Sequence, residues 1–197
     1  MVNLITFFVF AVLLSINQNF LDYIAIKPSN ILKGDYLWTF FTSMFMHGGV
    51  FHIFANMFSL IFVGSLVEKI LGPKRYLGFY LISGLLAGLL FVFLSLIFVA
   101  DYNTYAVGAS GALFGLVGLL VLLTPNLSVY LMFVPIPIKM KYAGPGILIL
   151  LWIISGVANI GIGNTAHLGG LLAGLSYGIY LKKKFPRKTK YIMNHFR

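Results

Sequence analysis

Cysteine is absent from this chain, and only four of its 197 residues are acidic. Without cysteine there are no disulfides and no thiolate ligands for a metal, and the redox compartment leaves no mark on the sequence. The four acids, Asp22, Asp35, Glu68 and Asp101, stand at the margins of long apolar runs rather than inside them. That placement leaves no pair of membrane-buried aspartates for acid–base chemistry, and no His-Glu-x-x-His segment exists to hold zinc. A carboxylate to complete a serine–histidine–acid triad is missing from the apolar runs as well. No internal repeat is visible and no stretch is polar enough for a separate soluble domain, so residues 1–197 are expected to form one membrane domain.

What fills the chain is apolar. Hydrophobic residues make up 60% of it and charged residues 9%, with a mean hydropathy of +0.97, outside the range of ordinary soluble domains. Uncharged runs extend over 1–21, 36–67, 76–100, 102–138 and 142–181, and a bilayer-spanning helix needs about 20 such residues. Lipid supplies no hydrogen-bond partners to the backbone, so these runs are predicted to be helical. Pro125-Asn126 and Pro135-Ile136-Pro137 break the fourth run, and Gly161-Ile162-Gly163-Asn164 breaks the last. The expected fold is an all-α polytopic membrane helix bundle of six spans, near 3–20, 50–70, 75–100, 109–124, 146–160 and 166–182.

Threading six spans through a bilayer puts twelve of the fourteen basic residues on one side: Lys69, Lys74 and Arg75, then Lys139 and Lys141, then seven in a basic tail at 182–197. Lys27 and Lys33 fall in the first long loop beside Asp22 and Asp35. By the positive-inside rule both ends of the chain are cytoplasmic. The net charge of +10 then reflects topology and contact with the lipid bilayer, and no nucleic-acid partner is implied. A cleaved signal peptide is the rival reading of the first run, but no lysine or arginine precedes it and no small-residue cleavage site follows.

The polar residues left inside the apolar runs fall together under this threading. His52 and Asn56 stand near the start of the second span, Ser110 at the start of the fourth and His167 at the start of the sixth. The fourth segment offers only about 21 Å of helix against about 30 Å of hydrocarbon, which sinks Ser110 on the order of 10 Å below the outer surface. Gly108, Gly111, Gly115 and Gly118 on one helix, and Gly170, Gly174 and Gly178 on the other, recur at helical spacing, and small residues so placed let membrane helices approach closely. Packing those faces together would bring the Ser110 hydroxyl to the His167 imidazole, the contact a serine nucleophile needs. His52 and Asn56, four residues apart, share a face; they suit either the donors of an oxyanion hole or buried polar ties between helices.

These residues resemble the rhomboid family of intramembrane serine proteases over nearly the whole chain. The resemblance rests on Gly108-Ala109-Ser110-Gly111, Ala166-His167-x-x-Gly170-x-x-x-Gly174, His52-x-x-x-Asn56 and Val67-Glu68-x-x-x-Gly72, in that order. It implies an endopeptidase of the compact, prokaryotic type that cuts single-pass transmembrane proteins within or beside their spanning helix. Ser110 would be the nucleophile and His167 the general base; His52, Asn56 and the Ser110 amide would form the oxyanion hole. No metal or cofactor is implied, the site would open to the extracytoplasmic side, and the oligomeric state stays open. Two positions differ from the family or vary within it: Trp38-Thr39 stands where a Trp-Arg pair is usual, and Phe114 where many members carry tyrosine. Phe114 is placed either to pack on His167 or simply to fill the core. His47 would line a water cavity or sit at the interface, and Tyr36, Trp38, Phe40, Phe41 and Phe45 are expected at the outer interface. Trp152 and Phe133 are gate candidates by resemblance alone. A client-binding protein without catalysis, or a small transporter, are the competing classes.

Overall fold

A computed structural model describes residues 1–131, 134–158 and 161–196. Its helices are α1 (Val2–Ile16), α2 (Val50–Leu71), α3 (Pro73–Leu94), α4 (Ser110–Leu123), α5 (Met140–Ala158), α6 (Asn164–Lys184) and α7 (Pro186–His195). Together they make a helical membrane bundle. By length and composition α2, α3 and α5 suffice to cross a bilayer, while α1 and α4 are shorter apolar helices.

Apolar on every side, α4 is the axis about which the others pack, as expected for a helix with no polar face. Leu116, Leu119, Leu120 and Leu123 are completely enclosed, together with Val67 of α2, and Phe79 of α3 is buried in the same cluster. The closest and longest helix contact is that of α4 with α6, and α3 covers the remaining side of this pair. By contrast α5 buries only Met140, Ala143, Gly144 and Leu148, all but the last within its first turn and a half. Inside α2 the chain widens into a π turn at Leu60–Gly64. Gly72, with φ of +81°, ends α2 in a conformation that favours glycine, and Pro73 opens α3 at once.

Several boundaries depart from the sequence reading. The third span ends at Leu94 rather than near residue 100, because the Ser95 hydroxyl bonds back to the Val92 carbonyl (2.7 Å) and the chain turns into a 3-10 segment at Val99–Asp101. The fifth helix starts at Met140, six residues before the expected point. Pro145 lies inside it, where it forfeits a single backbone bond to Lys141, and the start is held by Met140 N–H on the Leu127 carbonyl (2.8 Å) and Lys141 N–H on the Pro125 carbonyl (3.1 Å). The loop before it is not purely irregular: β1 (Ser128–Tyr130) and β2 (Pro137–Lys139) pair antiparallel with Val129 opposite Ile138. The basic tail contains α7, which buries Thr189 and packs Ile192 on the core.

The long first loop is folded rather than draped. Ile26 and Ala106 exchange both backbone bonds, at 3.1 and 2.8 Å. Asp22 Oδ1 accepts from Tyr105 and from Asn30, each at 2.8 Å, and Lys27 donates to Tyr105 at 3.2 Å. Where the family usually has arginine, Thr39 is 0% exposed. The neighbouring Trp38 indole donates to the Tyr23 carbonyl (2.9 Å) and Thr42 to that of Ile24 (3.0 Å), so the loop is fastened without an arginine at that position. Trp38 and Phe41 are exposed, but Phe40 packs beside Ile26 and Phe91 and Phe45 against the main core, so the aromatic set does not lie wholly on the surface.

Candidate active site

Ser110 is the first residue of α4, and the backbone before it is unusual. Gly108 has φ of +115°, and a Cβ there would lie 2.7 Å from His52 Nε2, so both the turn and the space require glycine. The turn is tied down by Gly108 N–H on the Ser43 carbonyl (2.8 Å). Ala109 N–H points to His47 Nε2 at 3.5 Å.

His167 lies in the first turn of α6, buried, with Nε2 2.8 Å from Ser110 Oγ. Phe114, one turn into α4, stacks on the imidazole with centroids 4.6 Å apart and planes 21° from parallel. Its ring therefore does more than fill space. His167 Nδ1 is buried with no partner.

The approach of the two helices is a backbone matter. A Cβ on Gly170 would strike the Gly111 carbonyl oxygen, and one on Gly174 the Gly115 carbonyl oxygen. The expected single smooth face on α4 is in fact divided. Side chains at Gly111 and Gly115 would run into Ala87 and Ser83 of α3, whereas one at Gly118 would run into the Leu171 carbonyl of α6. Glycine thus admits two neighbours at once.

His52, in the first turn of α2, accepts from Gly48 N–H through Nδ1 at 3.3 Å. An Nδ1 that accepts leaves the proton on Nε2, the nitrogen beside Gly108, as a free donor. Asn56, buried one turn on, gives one amide hydrogen to the His52 carbonyl (2.8 Å), and its Oδ1 has no partner. His47, left open in the sequence between cavity and interface, is buried at 3% exposure with its ring 5.2 Å from that of His52, edge to face. Sequence reasoning overlooked Asp101 and Thr165, whose side chains bond at 2.8 Å; the available signal was an isolated acid between two apolar runs. Of the gate candidates, Trp152 meets Phe98 edge to face at 6.4 Å, and Phe133 lies outside the described residues.

Chemically, the arrangement offers a hydroxyl on a base, a ring holding that base, and an imidazole donor beside the hydroxyl's own backbone turn. Comparison with known proteins bears on the same region. A family model described as Rhomboid domain matches residues 34–184. The chain is 36% identical over 180 residues to RHOMBOID-like protein 1 of Arabidopsis thaliana, covering 83% of this chain and 42% of that protein. To Rhomboid protease GluP of Bacillus subtilis it is 31% identical over 157 residues, 75% of this chain and 26% of that one. To Inactive RHOMBOID-like protein 8 of Arabidopsis thaliana it is 39% identical over 95 residues, 48% of this chain and 25% of the other. The chain spans less than half the length of these curated relatives.

Proposed function

The chain belongs to the rhomboid family, and from that premise we propose that it is an intramembrane serine endopeptidase working through a dyad of Ser110 and His167. Family membership alone does not decide the matter, since one relative is named as a protease and another as inactive. The observation that carries the reading is the 2.8 Å contact between Ser110 Oγ and His167 Nε2 under the stacked Phe114 ring. A protein that only binds membrane clients has no use for it.

In this reading His167 takes the Ser110 proton as Oγ attacks a substrate peptide carbonyl. The oxygen that becomes negative is met by Nε2–H of His52, the second amide hydrogen of Asn56 and the Ser110 backbone N–H, at the positive end of α4. His167 then delivers its proton to the departing amine, and water, deprotonated by the same imidazole, releases the acyl group and restores the serine hydroxyl. The substrates are transmembrane proteins whose spanning helix unwinds locally to expose the bond. No step calls for a metal or cofactor. We place the site toward the extracytoplasmic side with both ends of this chain in the cytoplasm, on the charge asymmetry of the loops.

The test is cleavage of a labelled transmembrane peptide by protein in liposomes. Ser110→Ala and His167→Ala should each lower kcat by on the order of 10³-fold or more. Cleavage at the wild-type rate by either variant contradicts the dyad.

A further inference from the structure

An imidazole with no carboxylate behind it must be oriented by other means, because a displacement of about 1 Å at a reacting group can cost on the order of 10²-fold in rate. For His167 the means are few. Nδ1 has no partner, so beyond the Phe114 ring the position of Nε2 depends on where the first turn of α6 lies. That turn lacks ordinary restraint: its N-cap, Gly163, offers no side-chain cap, and Asn164 Oδ1 is buried without a partner. Among the described residues, Thr165 supplies a side-chain bond from this turn to another element, its Oγ1 donating to Asp101 Oδ2 at 2.8 Å.

Asp101 closes the 3-10 segment Val99–Asp101 in the strap that runs from Ser95 to Ala109 and delivers Ser110. The strap is itself fixed. Thr104 N–H bonds the Asp101 carbonyl at 3.1 Å, Ser29 N–H bonds that of Tyr102 at 2.9 Å, and Ala106 pairs with Ile26. A bond from Asp101 to Thr165 therefore ties the turn bearing the base to the strap bearing the nucleophile. Thr165 is 5% exposed, so its hydroxyl has little access to water if the partner is removed. The carboxylate also stands at the positive end of α6, where negative charge is favourable.

We infer that Asp101 is a positioning residue: through Thr165 it sets the first turn of α6 and so holds His167 Nε2 against Ser110 Oγ. The inference rests on the dyad reading above. It assigns to a loop carboxylate, acting two residues away along the helix, the orienting task that a buried acid performs in a triad.

The test uses the full chain in liposomes, well below its unfolding temperature. The readouts are the rate of Ser110 labelling by a fluorophosphonate, together with kcat and KM on the transmembrane peptide. Asp101→Ala and Thr165→Val should slow labelling by about tenfold and lower kcat to match, leaving KM within about twofold. The double variant should be no slower than either single one, because both remove the same bond. Asp101→Asn, whose amide oxygen still accepts, and Thr165→Ser, whose hydroxyl still donates, should keep most of the rate. Thr165→Val, close in volume to threonine, carries the test if Asp101→Ala is not recovered folded. Wild-type protein that takes no label overturns the protease reading and this inference with it. Labelling of wild type and Thr165→Val at equal rates overturns this inference alone, as does equal loss in Thr165→Val and Thr165→Ser.

Discussion

His47 shows how a single side chain links the site to the stability of the fold. It lies in the bend ahead of α2, outside the spanning helix, and receives Ala109 N–H. Burial first, and the neighbouring His52 second, push its imidazole from the ordinary 6.5 down to about 4. A histidine with a folded pKa below its unfolded one takes up protons on unfolding, so stability rises with pH across the interval between the two. The contribution of His47 is therefore intact above about pH 6.5 and lost as pH falls toward 4. Thermal unfolding in detergent should show Tm declining through that window, and His47→Gln should flatten the decline. An unchanged slope would remove His47 from the account. The sequence left this residue undecided because a loop position five residues before His52 carries no periodicity that tells burial from exposure. The placement of His52, Ser110 and His167 at the starts of their helices was legible from the glycine register, and that of Asn56 from its four-residue spacing after His52.

Among the helices, the pairing of α4 with α6 makes the sharpest demand. Gly170 and Gly174 face backbone carbonyls, which cannot swing aside as a flexible side chain can. Gly174→Ala should destabilise by about 1–3 kcal/mol, the cost of overpacking a tight interface. Gly156→Ala on α5, where a Cβ meets nothing within 4 Å, should cost nothing and stabilise by up to about 1 kcal/mol through the better helix propensity of alanine. Denaturant unfolding of the two variants side by side checks the contrast, and comparable losses would show that the helices can part to accept a methyl group. The same glycines and Pro125 marked α4 in the sequence to within a residue. The ends of α3 and α5 were harder to read: α3 ends where the Ser95 hydroxyl turns back on the Val92 carbonyl, which no periodicity marks, and α5 begins where the distant Leu127 and Pro125 carbonyls receive its first amides. The β1–β2 pair was invisible for a related reason, since three residues on each strand are too few for an alternating pattern to register.

At the scale of the whole molecule, charge and chemistry occupy opposite ends. The candidate site stands where α2, α4 and α6 begin, and twelve of the fourteen lysines and arginines gather at or beyond the far ends of those helices. The absence of cysteine makes this directly measurable, because a single introduced thiol is the sole target for a maleimide. In sealed right-side-out vesicles, Lys33→Cys should react with a membrane-impermeant reagent, whereas Lys190→Cys should react only after the vesicles are opened. The reverse pattern would invert the proposed orientation. The π turn in α2 is where these two ends are reconciled. One extra residue per turn rotates everything beyond it by about 100° relative to a regular helix. His52 can thus keep its place beside Gly108, with Asn56 buried one turn on, while Val67, 0% exposed, keeps its own seat in the core, though the two sets obey different angular phases. The turn works as a phase shifter, letting one rod satisfy two compass bearings.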